Sequence, residues 1–379
     1  MSSTTTSGLA SPSTLEEYSL ISETISEISN ASTTTTTTTP KMSAPKVKVA
    51  VVQAEPVWFD LQGTVDKTIA LIKEAASKGC ELIAFPEVFI PGYPLWIWSN
   101  AADLDLNINY IKNSLSMDSP QFQSIIDTIK ACSIHTVLGF SERVHGSVYL
   151  SQCIINKKGE IVLHRRKFKP THVERAIYGE AKSQDLISVK KLDFADAGDV
   201  EVGALSCWEH VQPLLTFNSA TQQEKIHIGA WPMMDHYNPK TYSFYSFSKD
   251  AFHDLARAYA MQTGSFYLFT HQVITDKILE KIGSWPPAFK TGIGAAAIYG
   301  PDGAKLTEDL GDYYDGLLIH DLDMDAILLQ KQLVDIVGHY SRTDIISINV
   351  HQANANPTQN EYLTEDFIRR GSDKKLEDY

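Results

Sequence analysis

Two apolar runs, KVKVAVVQ (46–53) and ELIAFPE (81–87), constrain the fold of this chain more than any other feature. Both are short, aliphatic and largely uninterrupted on either face, which is the pattern of a strand covered on both sides. Between them, Val65, Ile69 and Ile72 recur at helical spacing over roughly 61–78, and Gly79 provides a stop. The pattern then continues. Ser119-Pro120 opens a second helix, with Phe122, Ile125, Ile126 and Ile129 on its apolar side, and HTVLGFSE (135–142) reads as a third strand. VYLSQCIIN and IVLHRRKFK flank KKGE (157–160), a hairpin signal, and AAAIYGPDGAKLTE (295–308) repeats that signature around GPDG. Between the hairpins lie a strand ending at Cys207, the strand KIHIGAWP (225–232), a helix near 247–263 stopped by Gly264, and the strand SFYLFT (265–270). Strand, helix and strand followed by paired hairpins, in two halves, predicts an α/β fold of four layers. This is an α-β-β-α sandwich in which two helix-covered sheets pack together as a single domain.

The regular pattern starts at residue 46. Residues 1–45 are rich in Ser and Thr, include the run Thr33 to Thr39, and carry Tyr18 as their one aromatic. Such a segment buries too little apolar surface to offset its ordering entropy, so a disordered tail is expected. It lacks the apolar core of a secretory signal and the arginines of a mitochondrial one. The fold is expected over 46–350, with a polar C-terminal tail over 351–379.

A net charge of −13 argues against a nucleic-acid partner, since phosphate binding needs concentrated Lys and Arg. No window approaches the ~18 consecutive apolar residues of a membrane span. Four cysteines in 379 residues do not make a disulfide framework, and a reducing compartment, the cytoplasm, is the expected location.

Four polar residues stand where strands run out: Glu87 after LIAFP, Lys167 after VLHRR, Glu174 after KPTHV, and Cys207 after VGALS. Taken singly, three of them have an ordinary structural reading, while Glu87, directly after an apolar run, would be costly to bury unpaired. Cys207 can be a buried thiol, Lys167 a solvated strand residue, and Glu174 a surface or capping residue. Taken together they form a chemical set, because α/β proteins gather function beyond the carboxyl ends of strands. A thiolate nucleophile needs a base and a positive charge, and the set supplies both. His210, three residues past Cys207, reads as structural. Other patterns fail. HVE (172–174) lacks the P-C-x-x-C of zinc deaminases, DLDMD (321–325) lacks the glycine and glutamate of a calcium loop, and no phosphate-binding glycine motif occurs.

The segments AFPEVFIPGYP around Glu87, RRKFKPTHVER around Lys167 and Glu174, and ALSCWEH around Cys207 resemble those of the nitrilase superfamily. The closest likeness is to its nitrile-hydrolysing and cyanide-converting branch. HIGAWP (227–232), AAIYGPDG (296–303) and GHYSR (338–342) follow in the order of that family, and the likeness runs from about Lys46 to Val350.

The resemblance implies that Cys207 attacks a nitrile carbon with Glu87 as general base. Lys167, joined by the Trp208 backbone N–H, stabilises the tetrahedral intermediates, and Glu174 positions substrate or Lys167 and assists proton transfer. Trp208 is expected against the substrate, together with aromatics from PGYPLWIW (91–98). No metal or organic cofactor is implied. A homo-oligomer is, built from dimers and extending into a spiral or filament. The rival readings are a hydratase releasing an amide, an amidase, and a catalytically idle scaffold. Ser206 departs from the asparagine common before the cysteine, and LFTHQVI (268–274) from a cysteine-containing family segment.

Overall fold

Along the first strand, β1 (Lys46–Ala54), burial alternates between two different cores. Val47, Val49 and Val51 face a second sheet, while Ala50, Val52 and Ala54 face helices, as the period of two in a pleated strand requires. This explains the run of apolar residues on both faces. In a computed structural model of the chain, the described residues are 44–240, 244–284 and 291–350. Apart from Ala44 and Pro45, the tails expected over 1–45 and 351–379 lie outside the described residues.

After β1 come α1 (Leu61–Ser77), β2 (Leu82–Ala84), the short α2 (Ile97–Asn100), α3 (Leu104–Asn113) and α4 (Pro120–Cys132). Three strands follow: β3 (His135–Val144), β4 (Ser147–Ile155) and β5 (Ile161–Arg166). The second half holds β6 (Val189–Phe194), β7 (Gly198–Ser206), α5 (Pro213–Thr221), β8 (Ile226–Ala230), α6 (Lys249–Thr263) and β9 (Phe266–Gln272). It ends with the one-turn α7 (Leu279–Ile282), β10 (Ala297–Tyr299), β11 (Gly316–Asp323) and α8 (Asp325–Leu333).

One half-sheet runs β5-β4-β3-β2-β1, with β11 antiparallel on β1 from Lys46↔Asp323 to Gln53↔Gly316. The other runs β6-β7-β8-β9-β10. The halves join where Gln53 and Ala54 pair with His271 and Gln272. Between the sheets lies a dry core. Val49, Val51 and Val137 from one side meet Val202, Ile226, Ile228 and Leu268 from the other. Full burial of each such side chain is worth about 1.5–3 kcal/mol. On the outer faces, α1 and α4 cover one sheet through Val65, Ile72, Ile125 and Ile129. Helix α6 covers the other through Phe252, Ala256 and Ala260. The result is the expected α-β-β-α sandwich.

Local signals set the helix ends. Asp60 Oδ1 accepts the Gly63 N–H at 2.8 Å to cap α1. Ser119 caps α4 with Pro120 in its first turn, and Gly264 (φ 64°) closes α6. The second expected hairpin forms as a short one. In GPDG the Gly303 N–H donates to the Gly300 carbonyl at 2.8 Å, Tyr299 bridges Lys305 antiparallel, and the Leu306 N–H donates to the Ile298 carbonyl at 2.8 Å. Its ladder stops there because the Thr307 hydroxyl accepts the Ile298 N–H at 3.2 Å, and β10 pairs antiparallel with β9. At the end of β11, Asp323 Oδ1 accepts the Asp325 N–H at 3.1 Å, a capping use of the DLDMD acids. No helix among the described residues is long and apolar enough to cross a membrane, and all four cysteines are free thiols.

Candidate active site

Lys167 leaves β5 two residues after Arg165, and its N–H donates to the Leu150 carbonyl at 2.7 Å, which continues the pairing with β4 for one more step. Its side chain is buried, and its ammonium meets two carboxylates. Nζ lies 2.9 Å from Glu174 Oε2 in a hydrogen bond and 2.9 Å from Glu87 Oε1 in an ion pair. An ammonium has three N–H donors, so these two contacts leave at least one over. Burial alone would lower the Lys167 pKa, but Glu174 and Glu87 outweigh it and hold the amine well above its usual range.

Glu87 follows β2 through Phe85 and Pro86. The close approach of β3 helps to fix this loop. The Phe89 N–H donates to the Gly139 carbonyl at 2.9 Å, and a Cβ on Gly139 would lie 2.2 Å from the Pro86 oxygen. The next residue, Val88, adopts φ 40°, a costly conformation for a β-branched side chain. Gln272, at the end of β9, donates to the Glu87 carbonyl at 2.6 Å and accepts the Tyr93 N–H at 3.3 Å. Neither Glu87 side-chain oxygen has an aligned hydrogen-bond partner among the described residues. Burial pushes the Glu87 pKa up to about 8, with Lys167 opposing the rise and Glu174 adding to it.

Glu174 combines two of its expected roles. It closes a capping box, with Oε2 accepting the Thr171 N–H at 2.6 Å, and the same oxygen holds Lys167. Its Oε1 accepts the Tyr93 hydroxyl at 3.0 Å, and Trp98 Nε1 donates to that hydroxyl at 3.2 Å.

Cys207 opens the 3-10 turn Cys207–Val211 at the end of β7, with φ 50°. Ser206 caps this turn, and Glu209 Oε2 accepts the Ser206 N–H at 2.7 Å. Burial raises the thiol pKa well above its usual value; Lys167 pulls it down, while Glu87 and Glu174 push it further up. The Trp208 backbone N–H also lowers it. Over Cys207 sits a cavity of about 10 Å³ bounded by Tyr93, Trp98, Glu174, Trp208 and Phe247, with Met233 and Met234. That is room for about one water, so a nitrile requires these walls to part. Larger clefts exist, including one of about 500 Å³ by Ser116, Glu142 and His145, but none of the four groups lines it.

Of the four residues singled out in the sequence, Glu174 and Cys207 line this small cavity with Trp208, and Lys167 joins Glu87 to Glu174 outside its lining. Of the PGYPLWIW aromatics, Tyr93 and Trp98 line the cavity, whereas Trp96 packs on Phe59 and Tyr110. Three further residues were not singled out: Arg165, Glu209 and Gln272. Arg165 and Glu209 form a buried two-pronged ion pair, and Gln152 Oε1 accepts from the same guanidinium at 2.7 Å. Alternation along β5 was the available signal, since it puts Arg165 on the face of Lys167.

The carbon-nitrogen hydrolase family matches residues 48–332. A curated nitrilase of Meyerozyma guilliermondii is 59% identical over 82% of this chain and 97% of its own length. An arylacetonitrilase of Macrophomina phaseolina is 47% identical over 81% of this chain and 92% of its own. Among solved structures, the C. elegans NitFhit protein aligns with a TM-score of 0.60 at 15% identity. It covers 83% of this chain and 70% of that one, a likeness of fold. The chain belongs to the carbon-nitrogen hydrolase family.

Proposed function

We propose that this protein is a nitrilase that hydrolyses an arylaliphatic nitrile to a carboxylic acid and ammonia. The observation that carries this reading is the contact of one buried lysine with two buried carboxylates beside a buried cysteine. High identity to a curated nitrilase and to arylacetonitrilases supports the reaction and the substrate class. The aromatic walls Trp98, Trp208 and Phe247 are suited to an aryl group.

In this mechanism Glu87, with a pKa close to the working pH, takes the Cys207 proton as the sulfur attacks the nitrile carbon. The proton passes to the nitrile nitrogen and gives a thioimidate. A water activated by Glu87 adds to its carbon, the C–N bond breaks, and ammonia leaves a thioester. A second water then breaks the C–S bond, releasing the acid and restoring the thiol. Lys167 stabilises the charge that develops on nitrogen and then on oxygen, with the Trp208 N–H as a second donor. Glu174 holds Lys167 in place. If the first tetrahedral intermediate expels sulfur instead of ammonia, the product is the amide; the residues of a hydratase would be the same.

The test is incubation with arylacetonitriles, aromatic and aliphatic nitriles and cyanide, quantifying acid, amide and ammonia. Acid and ammonia in equal amounts, with the highest rate on an arylacetonitrile, are expected. Amide as the main product would assign a hydratase. Turnover of amides alone would assign an amidase, and no turnover with any substrate would leave the scaffold reading. Self-association belongs to the proposal. Leu328, Leu329 and Leu333 on α8 and Tyr340, Ile345 and Ile346 beyond it are exposed, and light scattering should report an oligomer. The free thiols support a reducing compartment such as the cytoplasm.

A further inference from the structure

Behind Cys207, away from the carboxylates, a second buried polar chain begins on the cysteine's own backbone. His210 Nδ1 lies 2.6 Å from the Cys207 carbonyl oxygen. A carbonyl only accepts, so Nδ1 carries the hydrogen and Nε2 of the neutral ring is an acceptor. The neighbours agree with that tautomer. Trp231 Nε1–H donates to the Tyr267 hydroxyl at 2.9 Å, and that hydroxyl in turn lies 3.0 Å from His210 Nε2, which it can serve as donor. His227 Nε2 is 2.9 Å from the same nitrogen and must also present a hydrogen, which leaves its Nδ1 to accept. Facing that Nδ1 at 2.7 Å is Glu224 Oε1, which therefore holds a proton, while Tyr259 donates to Oε2 at 2.5 Å. Burial accounts for this, raising the Glu224 pKa to about 8 and lowering that of His210 to about 3. Every group is neutral and the chain of donors runs toward His210. Gly229 makes room for it, because a Cβ there would lie 1.9 Å from the Tyr267 hydroxyl.

The Cys207 carbonyl and the Trp208 N–H are the two ends of one planar peptide and point in opposite directions. Whatever pulls the carbonyl back turns the N–H the opposite way, and the Trp208 N–H is among the groups that lower the Cys207 thiol pKa. We propose that His210 is a positioning residue that sets the plane of the Cys207–Trp208 peptide and so aims the Trp208 N–H at the sulfur and at the anion formed on the attacked carbon. His210 is not the base for Cys207: its nitrogens are committed to the carbonyl, Tyr267 and His227. This inference rests on the nitrilase reading for its effect on turnover, but not for its effect on the thiol.

Two substitutions separate the roles of the ring. In His210→Asn the side-chain amide can occupy the place of Nδ1 and keep the bond to the carbonyl. In His210→Gln the amide falls at the place of Nε2, keeping the buried network but losing the carbonyl. Both are compared with the wild type for kcat and KM on phenylacetonitrile, and for the pH dependence of Cys207 alkylation by iodoacetamide, followed by peptide mass. The Gln variant should lose about ten- to hundredfold in kcat with little change in KM, and its alkylation midpoint should move to higher pH. The Asn variant should stay within a few-fold of the wild type in both. A Gln variant with wild-type kcat and midpoint overturns the proposal. So does an Asn variant that folds but falls as far as Gln; if the Gln variant does not fold, the Asn variant decides alone. Should the wild type turn over no nitrile, the nitrilase reading fails, and the alkylation midpoints still test where His210 aims the N–H.

Discussion

Arg165 and Glu209 form a fully buried ion pair with two prongs, Nη1 to Oε2 at 2.9 Å and Nη2 to Oε1 at 2.6 Å. Glu209 also accepts the Phe168 N–H at 2.7 Å and the Ser206 N–H at 2.7 Å, the residues that follow Lys167 and precede Cys207. The pair thus ties the two strand ends that carry Lys167 and Cys207. Burial would raise the Glu209 pKa, but Arg165 and the backbone donors hold it below the usual value. Glu209→Gln leaves the guanidinium buried without its counter-charge and should cost about 3–5 kcal/mol in urea unfolding. Arg165→Met combined with Glu209→Leu should cost less than the sum of the two single changes. Additive losses would show that the two side chains act independently.

The raised pKa of Glu87 sets a pH dependence. A carboxyl held up to about 8 is protonated below that pH and becomes a base above it. The account therefore predicts that kcat/KM rises as pH increases, with a limb near 8, and levels off above. Glu87→Gln should abolish turnover at every pH. A limb in the ordinary carboxylate range near 4 to 5 would contradict the buried environment of this group.

Tyr93 braces Glu174 through one hydrogen bond of 3.0 Å. Tyr93→Phe removes that bond while keeping the ring in the cavity wall. The expected loss is about 0.5–1.5 kcal/mol, or up to about tenfold in kcat. Steady-state kinetics on phenylacetonitrile checks it, and an unchanged kcat would show that Glu174 needs no brace.

Gln272 holds the loop that presents Glu87. Gln272→Leu leaves the Glu87 carbonyl, otherwise reached at 2.6 Å, without that donor. Stability should fall by about 1–3 kcal/mol by thermal or urea unfolding, and kcat/KM should fall further than Tyr93→Phe lowers it. Retention of both would remove Gln272 from the positioning of Glu87.

How much of this was legible in the sequence depends on range. Glu87 and Cys207 follow apolar runs and Lys167 follows β5 directly, so strand ends pointed to them, whereas Glu174 lies in the 3-10 turn His172–Ala176 beyond β5. β1 and β2 were plain because both faces are buried. The Gln272 contact to Glu87 spans 185 residues and Arg165 to Glu209 spans 44, so no local period reveals either. Arg165 also sits in HRRKFK, where the less buried Arg166 and Lys169 mask it. The GPDG turn over 300–303 was legible and forms, but its short ladder was not, because the Thr307 hydroxyl takes the Ile298 N–H.

The most direct measurement is the mass of Cys207 during turnover. The protein is mixed with phenylacetonitrile, quenched in acid within the first turnover, digested and analysed by peptide mass. The account predicts an added phenylacetyl or phenylacetimidoyl group on the Cys207 peptide, and neither adduct nor ammonia from Cys207→Ala. Ammonia released by Cys207→Ala at the wild-type rate, or an adduct on another residue, would contradict it.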